Sequence, residues 1–150
     1  MRTHVAIRQA TVADLDMIVP LFDAYRQFYR QPSDPQRARR FLLERFEHDQ
    51  SVIFLAFEGP TAIGFTQLYP SFSSGAMERI FILNDLFVEA GSRRGGSGTA
   101  LLKVAADYGR RAGAIRLLLS TELDNTAAQA VYEKAGWKRD SVFCVYHLGL

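Results

Sequence analysis

A glycine-rich turn in the second half of the chain constrains the fold more than any other feature. An apolar run at residues 86–88 (LFV) precedes the turn at residues 93–99 (RRGGSGT), and a helix-forming stretch follows it. The pattern predicts a strand, a turn and then a helix. Glycine lets bare backbone N–H groups approach a ligand, and the first N–H groups of a helix are unpaired and partly positive. The turn is therefore predicted to bind an anion, with phosphate or pyrophosphate the obvious choice.

The arginines and the glycine spacing of the turn narrow the choice of ligand. Arg93 and Arg94 can add charge-assisted hydrogen bonds to phosphate oxygens, and the alternative is a turn whose arginines are only solvated. A dinucleotide fold requires G-x-G-x-x-G, but no third glycine follows Gly96 and Gly98 at that spacing. A P-loop requires a Gly-Lys pair, which this sequence lacks. A nucleotide-binding α/β domain stays open as an alternative, with the missing third glycine as the objection to it.

Two sequence blocks occur in order in the second half of the chain. The first has Arg93, Gly96 and Gly98 at the spacing R-x-x-G-x-G. The second has the spacing N-x-x-A-x-x-x-Y-x-x-x-G-W, with its defining positions at Asn125, Ala128, Tyr132, Gly136 and Trp137. With these two blocks the chain resembles the GNAT superfamily of acetyl-CoA-dependent N-acetyltransferases. The run LNDLFV at residues 83–88 further resembles the branch that acetylates diamines, polyamines or histone-type lysines.

The length and composition of the chain predict a single domain over residues 1–150. The chain is 48% hydrophobic with a net charge of +2, which allows a sizeable core and is no nucleic-acid footprint. Its apolar runs are far shorter than a membrane span, and the single cysteine suits a reducing compartment. Its histidines are too scattered to predict a metal site. We therefore expect a cytoplasmic protein that has no metal, nucleic-acid or membrane partner.

The hydrophobic periodicity gives a coarse order of elements. The predicted elements are a strand at 4–9, a helix from an N-cap at 11 to about 30, a helix at 36–49, hairpin strands at 51–58 and 61–69, a loop at 70–77, a strand at 79–89, a helix at 97–112, a strand at 114–121, a helix at 126–135 and a strand at 138–148. This β-α-α-β-β-β-α-β-α-β order is that of the resembled family. The resemblance implies an α/β (α+β) fold with a mixed, mostly antiparallel sheet, splayed between its fourth and fifth strands, and helices on both faces. It also implies that the last strand helps to form a homodimer, and Cys144 in that strand is expected to be buried.

The resemblance assigns acetyl-CoA as the cosubstrate and implies a role for each matching position. The backbone N–H of Leu86 is expected to meet the acetyl carbonyl, and that of Val88 the pantetheine arm. Asn125 is expected to bond to the pantetheine or pyrophosphate portion, and Tyr132 to protonate the departing sulfur. For Tyr132, the alternative is a ring that only packs under the sheet. The full cofactor set is Leu86, Phe87, Val88, Arg93, Arg94, Gly95, Gly96, Ser97, Gly98, Thr99, Asn125 and Tyr132.

The group that removes a proton from the amine is the hardest to assign. An aliphatic ammonium has a pKa near 10.4, so only about one molecule in a thousand is a free amine at pH 7. Strand alternation places Asp85 on one face with Leu83, whereas related enzymes often have an acid at the positions of Ile82 or Asn84. A β-bulge beside the site is one way to redirect Asp85. Our hypothesis is that Asp85 binds or deprotonates the amine.

Other routes for the proton stay open. Glu78 or Glu122 acting through water is one alternative, a water chain with no carboxylate is another, and Asp85 is then structural.

The acceptor end of the site is less specific. Aromatic rings can hold methylene groups and attract an ammonium, so several tyrosines are candidates for an acceptor tunnel, although such rings more often belong to a core. The proposed substrate-binding set is Tyr25, Tyr29, Tyr69, Asn84 and Asp85, with Phe72 as a further candidate. The arginines between residues 26 and 45 are expected to form a solvated helix face. If they line the site instead, an acceptor bearing a carboxylate is favoured. A CoA-binding sensor without turnover is the alternative function.

Overall fold

A computed structural model describes residues 5–150 of the chain, so His4 of the predicted first strand lies outside the described residues. The described backbone groups into two compact units, a first one up to residue 120 and a second one of residues 121–150. The expectation of one domain over the whole chain stays a prediction. None of the helices described over residues 5–150 has both the length and the apolar character needed to cross a membrane.

The first unit contains a five-stranded sheet and three α-helices. Its elements are β1 Val5–Gln9, a 3₁₀ turn Val12–Asp14, α1 Leu15–Phe28, α2 Pro35–Glu47, β2 Val52–Glu58, β3 Thr61–Ser73, β4 Glu78–Val88, a 3₁₀ turn Ala90–Gly95, α3 Ser97–Arg111 and β5 Leu117–Leu118. The strands lie in the order β1-β2-β3-β4-β5, and only the β4–β5 pair is parallel. The mixed, mostly antiparallel sheet is thus confirmed.

Helices cover both faces of this sheet. On one face, α1 and α2 pack over β2 and β3 through a buried cluster that includes Ile18, Phe22, Leu42, Leu55 and Phe65. On the other face, the ring of Tyr108 from α3 contacts Phe54 and Phe81, with ring centroids 5.6 and 5.5 Å away. Because successive strand residues point to opposite faces, Phe54 and Leu55 reach different layers.

The strand β3 is longer than its hydrophobic pattern predicts. The loop predicted at 70–77 is wrong for residues 70–73, since β3 continues through Pro70 to Ser73, and is confirmed for residues 74–77, which form a turn. The partner strand β2 ends where Val52 pairs with Leu68, so β3 has an open edge beyond that point. A proline there removes no ladder hydrogen bond, because its missing N–H faces the open edge.

The C-terminal part of the predicted sheet is not formed. The predicted strand at 114–121 shrinks to β5, whose two residues pair with Phe81 and Ile82. The helix predicted at 126–135 is confirmed as α4, Thr126–Lys134. The strand predicted at 138–148 is wrong, since residues 135–150 of the described chain contain no strand. A strand requires a partner for its N–H and C=O groups, and Cys144 in this segment is exposed rather than buried.

Candidate active site

A β-bulge in β4 creates the geometry of the site. Gln67 pairs with Asp85 and the next residue, Leu68, pairs with Leu83, which leaves Asn84 as the extra residue on β4. Paired residues share a face and successive residues alternate, so Asp85 and Leu83 lie on opposite faces of the sheet. The alternation expected from the sequence, with both residues on one face, is therefore wrong. The bulge considered above is confirmed, and it turns Asp85 toward the layer of α1 and α2.

The same bulge changes which N–H groups face the open edge of β4. The Phe81 N–H donates to Arg116 C=O beside β5, whereas the Glu89 N–H donates to Ile63 C=O in β3. In an antiparallel ladder the N–H direction alternates, so Leu86 and Val88 point their N–H groups away from β3. Pairing with β5 has ended at Ile82. Two main-chain amides thus face the open side of the splay between β4 and β5.

Gly64 brings β3 close behind this edge. A Cβ built on Gly64 would lie 2.7 Å from the Phe87 carbonyl oxygen, which is closer than any real Cβ contact. Phe87 directs its own amide toward β3, and its ring packs against Phe65 at a centroid distance of 6.4 Å. Of the three residues at 86–88, the outer two therefore have N–H groups that point away from β3.

The glycine-rich turn forms the N-terminus of α3, as predicted. Gly96 has φ +78°, a left-handed conformation that favours glycine, and Ser97 is the first helical residue. The first helical hydrogen bond joins the Ala100 N–H to the Gly96 C=O at 3.0 Å. The N–H groups of residues 97–99 precede that bond and are the ones a helix leaves for other partners. The turn thus carries the unpaired donors and the positive end of the helix dipole expected of an anion site.

The side chain of Ser97 adds a second feature to this helix end. Ser97 is fully buried, and within the described residues its hydroxyl has no hydrogen-bond partner. A buried hydroxyl without a partner costs free energy that a ligand oxygen can recover. Gly98 and Thr99 follow in the first turn of α3, whereas Arg94 and Gly95 lie in the preceding 3₁₀ turn.

The inner part of the Arg93 side chain lies against the edge of β4. Its Nε donates to the Val88 C=O at 2.9 Å. Its guanidinium lies over the rings of Phe28 and Phe87, 5.2 and 5.7 Å from their centroids. Arg93 therefore links the glycine-rich turn to the open edge, and its remaining guanidinium N–H groups are the ones that can serve a phosphate.

Asp85 is the centre of a buried polar cluster. Its side chain is 1% exposed and accepts hydrogen bonds from Gln67 Nε2 at 2.5 Å and from Asn84 Nδ2 at 2.7 Å. The Tyr25 hydroxyl donates to the Asn84 carbonyl oxygen at 3.2 Å. Burial raises the pKa of Asp85, while the bonds from Asn84, Gln67 and Tyr25 oppose that rise. The site thus contains a carboxylate whose affinity for a proton exceeds that of an ordinary aspartate.

Tyr25 and Tyr69 are the candidate acceptor-binding tyrosines near Asp85, and Tyr29 lies beside Tyr25. Burial is the main cause that raises the pKa of Tyr25 far above its ordinary value, with the charge of Asp85 adding to it. The pKa of Tyr69 is raised for the same two reasons, and Arg45 opposes the rise. Tyr29 packs edge-on against Tyr25, with centroids 5.0 Å apart.

Phe72 and the arginines between residues 26 and 45 fit the alternatives to a substrate-binding role. Phe72 is 67% exposed, with the Arg79 guanidinium 4.8 Å from its ring centroid. Arg39 forms an exposed ion pair with Asp16, and Arg26 donates to a loop carbonyl. Arg45 differs, because its guanidinium is only partly exposed and lies near Tyr69.

The second sequence block forms α4 in the unit of residues 121–150. Asn125 caps this helix, with its Oδ1 accepting from the Ala128 N–H at 3.2 Å. Tyr132 is half-buried, and its ring lies 6.2 Å from that of Trp137. Gly136 has φ +97° and ends the helix. The spacing of the block thus reflects a capped helix that carries Tyr132 in its last turn.

Comparison with known proteins identifies the family. The model of the acetyltransferase (GNAT) family matches residues 18–137. The chain belongs to the GNAT acetyltransferase family. It is 50% identical over 144 residues to YhfO, an uncharacterized N-acetyltransferase of Bacillus subtilis (strain 168), with 96% of this chain and 97% of that protein covered. A solved structure of a probable acetyltransferase superposes with a TM-score of 0.91 at 42% identity, covering 97% of both chains.

A more distant neighbour agrees on the fold. An aminoglycoside N-acetyltransferase crystallised with CoA superposes with a TM-score of 0.79 at 22% identity, covering 97% of this chain and 95% of that one. At that identity the likeness shows the fold alone. The chain is thus a GNAT acetyltransferase with the family's open sheet. The diamine, polyamine or histone-type branch stays a prediction.

Sequence reasoning about this GNAT site missed Gln67. No local motif distinguishes Gln67, which lies in the middle of an apolar strand. Its role follows only from the register of β3 against β4 and from the bulge at Asn84. An isolated amide side chain inside a buried strand is the one signal that was available, because such groups require a partner. Within residues 5–150, no three His, Cys, Asp or Glu side chains gather into a metal site.

Proposed function

We propose that this GNAT acetyltransferase transfers the acetyl group of acetyl-CoA directly to a primary amine. The observation that carries the proposal is the continuity of two donor sets. The open N–H groups of Leu86 and Val88 are joined through Arg93 to the N-terminus of α3. One set suits a thioester carbonyl and the pantetheine arm, and the other suits the pyrophosphate.

The amine must lose a proton before it attacks. Asp85, with its raised pKa, is the group that we propose binds or deprotonates it, and Asn84 and Gln67 hold the carboxylate in place. The amine nitrogen then attacks the thioester carbon and forms a tetrahedral oxyanion. The Leu86 N–H donates to that oxyanion, and a fixed donor of this kind stabilises the transition state.

Collapse of the intermediate breaks the carbon–sulfur bond and leaves CoA as a thiolate. We propose that Tyr132 donates its phenolic proton to that sulfur, while Asn125 bonds to the pantetheine portion. A phenol with a pKa near 10 that protonates a thiolate near 8.5 is uphill by only about 2 kcal/mol. The products are an amide and CoA. We place this reaction in the cytoplasm, in keeping with a single free cysteine.

An assay of CoA thiol release tests the proposal. The purified chain is given acetyl-CoA with diamines, amino acids, aminoglycosides, arylamines and lysine peptides in turn. Release that depends on an added amine, with the acetyl group found on its nitrogen, is the expected result. Binding of acetyl-CoA without release in any mixture favours the sensor instead. Melting shifts with NAD or ATP but none with CoA favour the nucleotide-binding domain.

We also propose that the enzyme is a homodimer in which a second copy covers the C-terminal segment, residues 142–148. Its apolar side chains are 74% to 90% exposed, namely Val142, Phe143, Val145, Tyr146 and Leu148. Residues 142–148 have the sequence alternation of a strand, and among the described strands β5 pairs only with β4. Reciprocal pairing of the two copies would close with two-fold symmetry.

If the dimer forms through residues 142–148, charged residues inserted in that segment are expected to dissociate it. Wild-type protein is expected to show the mass of two chains by light scattering after gel filtration. The Phe143→Asp/Tyr146→Asp variant is expected to show the mass of one chain. Met77→Asp, which places a charge at an 88% exposed site in the first unit, is the control and should stay dimeric. A wild-type chain that is monomeric at micromolar concentration contradicts the proposal.

A further inference from the structure

Only the NH₂ group of the Gln67 side-chain amide forms a hydrogen bond to Asp85. Its Nε2 donates to Asp85 Oδ2 at 2.5 Å. Its Oε1 is buried and, within the described part of the chain, has no hydrogen-bond partner. Gln67 is 0% exposed, so bulk water does not reach this oxygen. A buried acceptor without a donor loses the free energy of its solvation, and native proteins keep few such atoms. The oxygen therefore marks a position that a donor of another molecule can occupy.

Asp85 forms no ion pair within the described residues. The carboxylates that are ion-paired there include Asp14, Asp16, Glu44 and Asp107. Its hydrogen-bond donors at Gln67 and Asn84 are neutral amides. Buried charges in proteins are normally paired, because burial removes their hydration. The cluster thus presents a negative charge and an unused acceptor at one place, and no ion-pair partner among the described residues, the guanidinium of Arg45 lying beside Tyr69.

A primary ammonium group fits both requirements. It carries one positive charge and three N–H donors, which can reach a carboxylate and an amide oxygen together. The hydroxyls of Tyr25 and Tyr69 lie close enough to Asp85 for its charge to raise both of their pKa values. Their rings can pack against the methylene groups of an aliphatic amine. An arylamine is uncharged at neutral pH and offers fewer donors, so it fits less well.

We propose that Asp85 and the Oε1 of Gln67 together bind the ammonium of a primary aliphatic acceptor, which makes Gln67 a specificity-determining residue. The proposal rests on the acetyltransferase function above, since it names the acceptor class of that same site. Both side chains are at most 1% exposed. Access of a ligand therefore requires neighbouring side chains to move, and we propose that these are the half-buried rings of Tyr25 and Tyr69.

The test measures binding without acetyl transfer. Protein labelled with ¹³C at aspartate carboxyl groups, without acetyl-CoA, is titrated with n-butylammonium, tetramethylammonium and n-butanol. The Asp85 signal is assigned by its loss in Asp85→Asn. Only n-butylammonium is expected to shift it, because tetramethylammonium has no N–H and butanol no charge. Gln67→Met, which keeps the volume and removes both amide functions, is expected to weaken n-butylammonium binding by about 10- to 100-fold. Gln27→Met, at a similar Gln–Asp pair on α1, is the control and should leave binding unchanged.

A second variant covers a failure of Gln67→Met to fold. Gln67→Glu retains an acceptor oxygen and adds a like charge, so it is expected to bind n-butylammonium at least as well as wild type. Equal shifts from tetramethylammonium and n-butylammonium, or unchanged binding in Gln67→Met, overturn the proposal even if acetyl transfer is observed. Selective n-butylammonium binding with no acetyl transfer to any amine supports this site and refutes the acetyltransferase function.

Discussion

Replacing Tyr132 by phenylalanine is expected to lower kcat by about 10²- to 10⁴-fold and to leave the KM for acetyl-CoA near its wild-type value. The reason is that the ring stays while the proton donor to the CoA thiolate is lost. The reaction then depends on water to protonate the sulfur. Steady-state kinetics with the best amine of the panel measures the effect.

The control for this variant separates proton donation from packing. The Tyr132 ring packs against Trp137, the single tryptophan of the chain, so Trp fluorescence reports whether that contact survives. Tyr108→Phe removes a hydroxyl from a half-buried ring on α3 that contacts Phe54 and Phe81, outside the site, and should leave kcat unchanged. If Tyr132→Phe retains wild-type kcat, Tyr132 is only a packing residue and another group protonates the sulfur.

Replacing Asp85 by asparagine is expected to lower kcat/KM for the amine by about 10²- to 10⁴-fold and to abolish the acidic limb of its pH profile. Burial raises the pKa of Asp85, so the wild-type base gains activity as pH rises through that raised value. The titratable groups near it are Tyr25 and Tyr69, and Arg45 lies beside Tyr69. The raised pKa values of the tyrosines keep their phenols neutral over this range.

The substitution Asp85→Asn is also expected to change how the free energy of unfolding depends on pH. A carboxyl whose folded pKa is raised binds its proton more tightly in the folded state. The free energy of unfolding of the wild-type protein therefore includes a contribution from Asp85. This contribution decreases as pH rises from the pKa of the unfolded state through the higher pKa of the folded state. Asp85→Asn should lack that decline in urea unfolding, whereas Asp107→Asn, at an exposed carboxylate on α3, should retain it. An unchanged pH–rate profile in Asp85→Asn excludes the role of base.

The sequence predicts this site where the chemistry is local and fails where it depends on distant pairing. The glycine-rich turn, the start of α3 at Ser97 and the helix that follows Asn125 are predicted from neighbouring residues, and the structure has each of them. The bulge at Asn84 depends on how β3 pairs with β4, which period-two alternation cannot reveal. The partnership of Gln67 with Asp85 follows from that same pairing.

The C-terminal segment and Pro70 illustrate two further limits. Residues 142–148 have the alternation of a strand, but alternation identifies a face to be covered and not the chain that covers it. Pro70 marks a loop by local rules, yet the end of β2 opposite Leu68 makes its missing N–H harmless. For Pro70 the deciding partner is remote in sequence, and for residues 142–148 we propose that it is a second copy of the chain.

Calorimetry of CoA binding tests the central claim, that main-chain amides at the start of α3 bind the diphosphate of the cofactor. A Cβ added at Gly98 meets no atom within 4 Å, so Gly98→Val should fold normally while its side chain occupies the space of the ligand. Gly91→Ala is the control, since its Cβ is equally unobstructed and lies outside α3. Saturable heat with wild type and Gly91→Ala, and none with Gly98→Val, is the predicted result. No heat from folded wild-type protein at millimolar CoA, or equal heat from Gly98→Val, contradicts the claim.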